Sequence, residues 1–219
     1  MKRVLPSLLL AALLTGCFGS PPPVPRDRYY RLLVPEPVQA AAETPLGGVT
    51  TVELMQADGL LRERPLLYSE GGGSHELLQH SYHYWNDAPP RLLQEQMVTY
   101  LRRSGVAELV VTPEMRVRSD YQLSGKAKRF ERLLGDGAPR VVVEIEFALL
   151  RLSDEALLVV DSYTAEEPAA DDSVEAAIAA LNRATARVFD SFLAEVRLAA
   201  ARIAEQRHAA RVGAEASAQ

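Results

Sequence analysis

The chain has 219 residues, of which 24 are Lys or Arg and 29 are Asp or Glu, giving a net charge of −5. Hydrophobic residues make up 47% and charged residues 24%, which is typical of a globular protein. The acidic balance and the lack of a basic stripe argue against a nucleic-acid-binding protein. A single cysteine excludes an intrachain disulfide.

The N-terminus has the layout of an export signal followed by a lipid attachment site. Two basic residues precede an apolar stretch over 4–14, which is shorter than the roughly 20 residues of a transmembrane helix. This predicts a removable signal peptide over residues 1–16. The sequence LLTGC at 13–17 resembles the bacterial lipobox, and the resemblance implies cleavage before Cys17 and acylation of its sulfur. We therefore expect lipid attachment at Cys17.

The next residues, 17–27, predict a lipidated tether, because four prolines between 21 and 25 favour extended polyproline II. Phe18 stands where aspartate usually retains a lipoprotein in the inner membrane of enterobacteria. We therefore expect the outer membrane, facing the periplasm. An acidic body is a poor electrostatic match for an anionic membrane surface, so we expect acyl chains to provide the anchor.

Alternating apolar residues predict strands over 29–34 and 49–55. Residues 65–69 begin with proline and predict a short edge strand, and the aromatic-rich segment 75–85 predicts another strand. A helix is predicted over 86–105, with Asp87 as N-cap, two prolines in the first turn and Gly105 as the stop. Its apolar face comprises Leu92, Leu93, Met97, Tyr100 and Leu101.

Strands are then predicted over 107–112, 121–134, 140–152 and 157–167, the last three forming an antiparallel meander. In the third, Val141, Val143, Ile145, Phe147 and Leu149 share one face. A long C-terminal helix opens with Asp172 and Glu175 at capping-box spacing. Its apolar stripe comprises Ile178, Leu181, Val188, Phe189, Phe192, Val196 and Ile203.

These elements predict an α+β fold, with a mixed, largely antiparallel sheet and two main helices packed on one face. We expect a single domain over residues 28–206 and a frayed or disordered tail over 207–219.

The histidines are the first group to consider as a site. On a regular strand His75 and His83 share a face about 26 Å apart. His80 would point to the opposite face, so three ligands cannot converge and we expect no metal site.

The remaining polar groups do not predict catalysis either. The loop EGGGS at 70–74 precedes a strand and lacks the lysine of a phosphate-binding loop. Glu144 and Glu146 lie about 6.6 Å apart on one strand face, where alternation explains them without glycosidase chemistry. The pair 171–172 is expected to cap a helix, and Tyr82, Tyr84 and Trp85 to serve in the core. The sequence therefore predicts a protein that has no catalytic residues, binds no cofactor and is not an enzyme.

The order of several segments resembles the ABC-type transport auxiliary lipoproteins, also called PqiC-like. They are YYRLL, ADGLLRERPLLYS, YHYWNDAPPRLLQEQMVTYLRRSG, AKRFER, VVVEIEFALLRL and SYTAEEPAADDSVEAAIAALNRATARV. The loop EGGGSHELLQH and the long C-terminal tail depart from the pattern.

The resemblance implies a non-catalytic partner of ABC transporter and MCE-domain (mammalian-cell-entry type) components that move lipid or other apolar molecules between the inner and outer membranes. Only Cys17 has a family role to carry over. The alternatives are a structural or assembly lipoprotein of an unrelated envelope complex and a periplasmic hydrolase. The sequence also leaves open direct lipid carriage and a homo-oligomer.

Overall fold

The computed structural model describes residues 24–38, 44–71, 75–135 and 137–217, with side chains described up to residue 205. Within these ranges the chain forms nine strands and two α-helices, separated in two places by 3-10 turns at Gly59–Arg62 and Pro113–Met115. The strands are β1 Arg28–Tyr30, β2 Leu46–Val52, β3 Gln56–Ala57, β4 Pro65–Glu70, β5 Leu78–Trp85, β6 Ala107–Val111, β7 Tyr121–Leu134, β8 Arg140–Arg151 and β9 Ala156–Pro168. The helices are α1 Pro89–Ser104 and α2 Val174–Ser217.

The long strand β7 organises the sheet. One edge of β7 pairs antiparallel with β8, which in turn pairs antiparallel with β9. The other edge pairs in parallel with β2, β3 and β4 in succession. β6 continues the sheet beside β2, while β5 and then β1 continue it beside β4. The predicted α+β class and mixed sheet are therefore confirmed, and the two longest ladders are antiparallel.

The alternation in β8 places its apolar side chains against the helices, as predicted. Val141, Val143, Ile145, Phe147 and Leu149 are at most 1% exposed. The Phe147 ring lies 4.8 Å from that of Phe192 on α2. The meander and α2 therefore share one core.

The start of α1 differs from the prediction. The N-cap is Ala88, and Asp87 instead accepts a hydrogen bond from the Ala88 N–H and forms an ion pair with Arg91. The first two helical residues are prolines, which lack the N–H group that could donate a hydrogen bond to a capping carboxylate. The predicted end is confirmed, because Gly105 has the left-handed φ of 66° that favours glycine.

The predicted capping box of α2 is also wrong by one residue. The Ser173 hydroxyl accepts the hydrogen bond of the Ala176 N–H at 3.1 Å. Glu175 is thereby free to form contacts outside the helix, described below. The predicted apolar stripe is buried from Ile178 to Val196. The helix extends to Ser217, and fraying of the tail remains a prediction.

Two strand predictions are wrong. The first strand ends at Tyr30, because side chains from the helices take the next backbone donors: Leu33 N–H donates to Asn182 and Val34 N–H to Gln96. The predicted edge strand, β4, lies between β5 and β7. Pro65 is accommodated because it is the first residue of that strand.

Candidate functional site

Cys17, the predicted lipid attachment site, lies outside the described residues, as do residues 72–74 of the glycine-rich loop. Acylation of Cys17 therefore remains a prediction. The described part of the chain contains the side chains of His75, His80 and His83, the paired glutamates and the aspartates at 171 and 172.

The structure brings two histidines together that a regular strand would separate. The rings of His80 and His83 lie 5.8 Å apart, so the prediction that they occupy opposite faces is wrong. The cause is an irregularity in β5: Tyr82 has a left-handed φ of 62°, and the pairing with β4 shifts register. A shift in register moves side chains to the other face of a sheet.

A buried arginine joins this pair to the long helix. Arg132 on β7 is 4% exposed, and its Nη1 donates to His80 Nε2 at 3.2 Å. Its Nη2 donates to the Asp172 carbonyl at 2.8 Å, directly before α2. The Tyr68 ring lies 4.5 Å from the His80 ring. We call the set formed by Arg132, His80, His83, Tyr30, Glu175 and Arg28 the polar network. The contacts of the last four residues are described next.

The polar network continues to the first strand and the first turn of α2. The Tyr30 hydroxyl lies 2.9 Å from His83 Nδ1 and donates to Glu175 Oε1 at 3.3 Å. Arg28 Nη1 donates to the same carboxylate at 2.7 Å. The network therefore ties β1, β5 and β7 to the start of α2.

The electrostatics of the network favour hydrogen bonding over proton transfer at neutral pH. Burial, followed by the charges of Arg132 and His83, lowers the pKa of His80 to about 4. His80 is thus neutral and can accept from Arg132. Burial also lowers the pKa of Arg132. The backbone N–H of Glu175, then Tyr30 and Arg28, lower the pKa of its carboxyl, which favours the ionised form.

The other predicted polar residues do not join this network as reactive groups. Glu146 lies on the outer face of β8 and pairs with Lys128 at 2.7 Å, which lowers its pKa. A general acid of a glycosidase needs a raised pKa. The Asp171 carboxylate accepts from the Ser173 N–H, and only the backbone carbonyl of Asp172 contacts Arg132. Among the described residues, no group of three His, Cys, Asp or Glu is placed to hold a metal ion.

Sequence reasoning missed Arg132, although a signal for it exists. Arg132 is two residues after Phe130, and residues i and i+2 share a strand face. Since Phe130 is 2% exposed and packs on Trp85, Arg132 also faces the core. Trp85 was predicted as a core residue and is 1% exposed, whereas Tyr82, predicted with it, is 38% exposed.

At the opposite end of the sheet lies an open groove of about 550 Å³. Polar side chains, including Glu53, Arg118, Asp120 and Gln122, contribute much of its lining. An apolar ligand such as an acyl chain would leave these groups without water, so the groove is poorly suited to lipid.

A family model described as the ABC-type transport auxiliary lipoprotein component matches residues 30–192. The chain belongs to this family. The match runs from the last residue of β1 through the other eight strands and into α2, so it includes both histidines of the polar network and Arg132. The family resemblance predicted from the sequence is confirmed.

Solved structures show the same fold. The protein XCC0632 from Xanthomonas campestris is 18% identical, with a TM-score of 0.70 over 81% of this chain and 99% of that chain. An uncharacterised protein is 14% identical, with a TM-score of 0.62 over 78% of this chain and 99% of that chain. No curated protein matches the sequence.

Membership makes the protein an auxiliary lipoprotein of a transport system, and the family is described by that role and not by a catalytic one. Such a lipoprotein is a membrane-associated protein of the cell envelope. No helix in the part of the auxiliary lipoprotein that the structure describes is long and apolar enough to span a membrane.

Proposed function

We propose that this auxiliary lipoprotein is anchored to the outer membrane through acylated Cys17, faces the periplasm and acts without catalysis. It would serve an ABC transporter with MCE-domain components that moves lipid or other apolar molecules between the two membranes. The observation that carries the proposal is the family match over residues 30–192, which covers nearly all of the folded domain.

Two features of the chain support this function. The LLTGC pattern at 13–17 supplies a thiol at the end of an export signal, and lipid on that thiol would provide a membrane anchor. The polar network uses its histidines, arginines and Glu175 in contacts between secondary structure elements. These side chains therefore hold secondary structure elements of the domain together, a structural role that agrees with a function without catalysis.

Affinity purification tests the transport role. The tagged protein is extracted from envelopes in mild detergent, and we expect MCE-domain and ABC components to be recovered with it. The Cys17→Ser variant is the matched control, because it keeps the whole folded domain and lacks the acylation site. Recovery of a different envelope complex would favour the structural or assembly role, and recovery of neither class of partner would contradict the proposal.

Membrane fractionation tests the anchor separately. We expect the wild-type protein to remain in the outer-membrane fraction after a high-salt wash, which removes proteins held by charge alone. The Cys17→Ser protein should appear in the soluble periplasmic fraction or remain unprocessed. A Cys17→Ser protein that is processed and still sediments with washed membranes would show that acylation is not the anchor.

A further inference from the structure

The outermost strand of the sheet carries an exposed aromatic surface. The Tyr29 ring on β1 stacks on that of Tyr84 on β5, with 5.7 Å between centroids. The Arg64 guanidinium lies over the Tyr29 ring at 5.1 Å. Tyr82, two residues before Tyr84, is held in the left-handed backbone conformation noted above. We call Tyr29, Arg64, Tyr82 and Tyr84 the tyrosine edge.

Two rings of the tyrosine edge, those of Tyr29 and Tyr82, are exposed to solvent. Tyr29 is 56% and Tyr82 38% exposed, whereas every other Tyr, Phe or Trp ring in the described ranges is buried or half-buried. Core packing does not account for these two rings. A left-handed conformation in a residue as bulky as tyrosine is uncommon and often marks a functional surface.

The position of the edge points to its partner. Tyr29 is the second residue of β1, which is the first element after the tether and lies at the end of the sheet. A polyproline II tether of the length predicted for residues 17–27 spans about 34 Å, so the edge can reach any bilayer that carries the acylated Cys17. The far end of the domain is another 44 Å or so away, the rise of α2 from Glu175 to Ala204.

The chemistry of the edge suits the headgroup layer of a bilayer. Tyrosine rings are enriched there because one end of the side chain is apolar and the other accepts and donates hydrogen bonds. An arginine can place its stem along apolar surface while its guanidinium contacts lipid phosphate. Arg26 and Arg31 are also exposed beside the edge. The acidic side chains next to these residues are Asp27, which accepts a hydrogen bond from the Tyr29 hydroxyl, and Glu63. This local excess of positive charge contrasts with the acidic net charge of the chain.

We propose that the tyrosine edge rests on the headgroups of the bilayer to which the protein is anchored, and so orients the domain with the β8–β9 turn pointing away from the membrane. This inference rests on the proposed anchoring through Cys17. The lipid would supply the attachment, and the edge would fix the orientation.

Fluorescence quenching in vesicles tests the orientation. The acylated protein is reconstituted in phosphatidylethanolamine and phosphatidylglycerol vesicles containing lipid with a shallow nitroxide quencher. A fluorophore is attached in Ser81→Cys, at an exposed residue next to Tyr82 and outside the tyrosine edge, or, as the matched control, in Leu157→Cys at the β8–β9 end. Both native side chains are exposed, and the native thiol is occupied by lipid in the proposed mature form.

We expect quenching at position 81 to exceed that at position 157 about fivefold or more, because headgroup quenching acts over a few ångströms and the two sites lie roughly 30 Å apart across the sheet. Equal quenching at the two positions would overturn the inference. A second variant, Tyr29→Ser with Tyr82→Ser, should increase quenching of a label at position 157, since the domain would no longer hold one orientation. Unchanged quenching in that variant would also overturn it.

Vesicle flotation in the same experiment separates the two levels of the proposal. If the wild-type protein does not float with the vesicles, the anchoring proposed for Cys17 is wrong, and the orientation is wrong with it. If it floats and position 81 is not quenched, only the orientation is wrong. If Tyr29→Ser abolishes recovery of protein partners while quenching is unchanged, the edge is a protein interface and the membrane contact is refuted.

Discussion

Replacing His80 with glutamine should remove a specific part of the protein's sensitivity to acid. His80 is half-buried next to Arg132, and its pKa of about 4 is below the ordinary histidine value of 6.5. The unfolded chain therefore binds a proton at a pH where the folded chain does not. The resulting stability is present above pH 6.5 and is lost as the pH falls towards 4.

The magnitude follows from the shift and the exposure of the ring. A shift of this size corresponds to about 3 kcal/mol when complete, and solvent screening of a half-buried group reduces it to about 1 to 2 kcal/mol. Since pH 5 lies between the two pKa values, we expect roughly 1 kcal/mol to be lost there. For a domain of this size that is about 2–4 °C in melting temperature.

Urea unfolding at pH 7.5 and pH 5, followed by the fluorescence of the single tryptophan, Trp85, measures the effect. His80→Gln retains an oxygen that can accept from Arg132 but does not titrate, so its free energy of unfolding should fall about 1 kcal/mol less than that of the wild type. His75→Gln, at an exposed histidine, should behave as the wild type. An identical fall in the wild type and His80→Gln would refute the assignment of this sensitivity to His80.

Three further substitutions test the core and the absence of catalysis. Gly125→Val should lower the free energy of unfolding by about 2 kcal/mol or more, as measured by denaturant titration. The reason is that a Cβ at this position would lie 2.5 Å from Met55 Sδ and 2.9 Å from the Phe147 ring. An unchanged midpoint of unfolding would contradict this packing. Phe192→Ala should lower the free energy of unfolding by about 4 kcal/mol in the same titration, since it removes the ring next to Phe147. A loss below about 1 kcal/mol would contradict the core that the meander shares with α2. Glu144→Gln should leave the recovery of transport partners and transport itself unchanged, and an enzymatic activity lost in this variant would revive the hydrolase alternative.

The elements that could be predicted from the sequence are those whose signals are local. The alternation of β8 and the apolar face of α1 follow from strand and helix periods, and Gly105 gives the end of α1 directly. The order of β7, β8 and β9 follows from short turns between long strands. These features establish the α+β class and the side of the sheet that faces the helices.

What could not be predicted depends on contacts between distant parts of the chain. Nothing local indicates that β7 pairs with three different strands along one edge, so β4 was expected at an edge. Tyr82 carries no glycine or asparagine signal for its left-handed conformation, and the joining of His80 and His83 depends on it. The caps of both helices were misplaced by one residue, which is the usual uncertainty at a helix end.

Anchoring through acylated Cys17 is tested most directly by the mass of the N-terminal peptide of the mature protein purified from membranes. We predict a chain that begins at Cys17 and carries diacylglycerol on the sulfur, with an acyl chain on the new amino group as the usual addition. A mature chain that begins at another residue, or an unmodified Cys17 in membrane-bound protein, would contradict it.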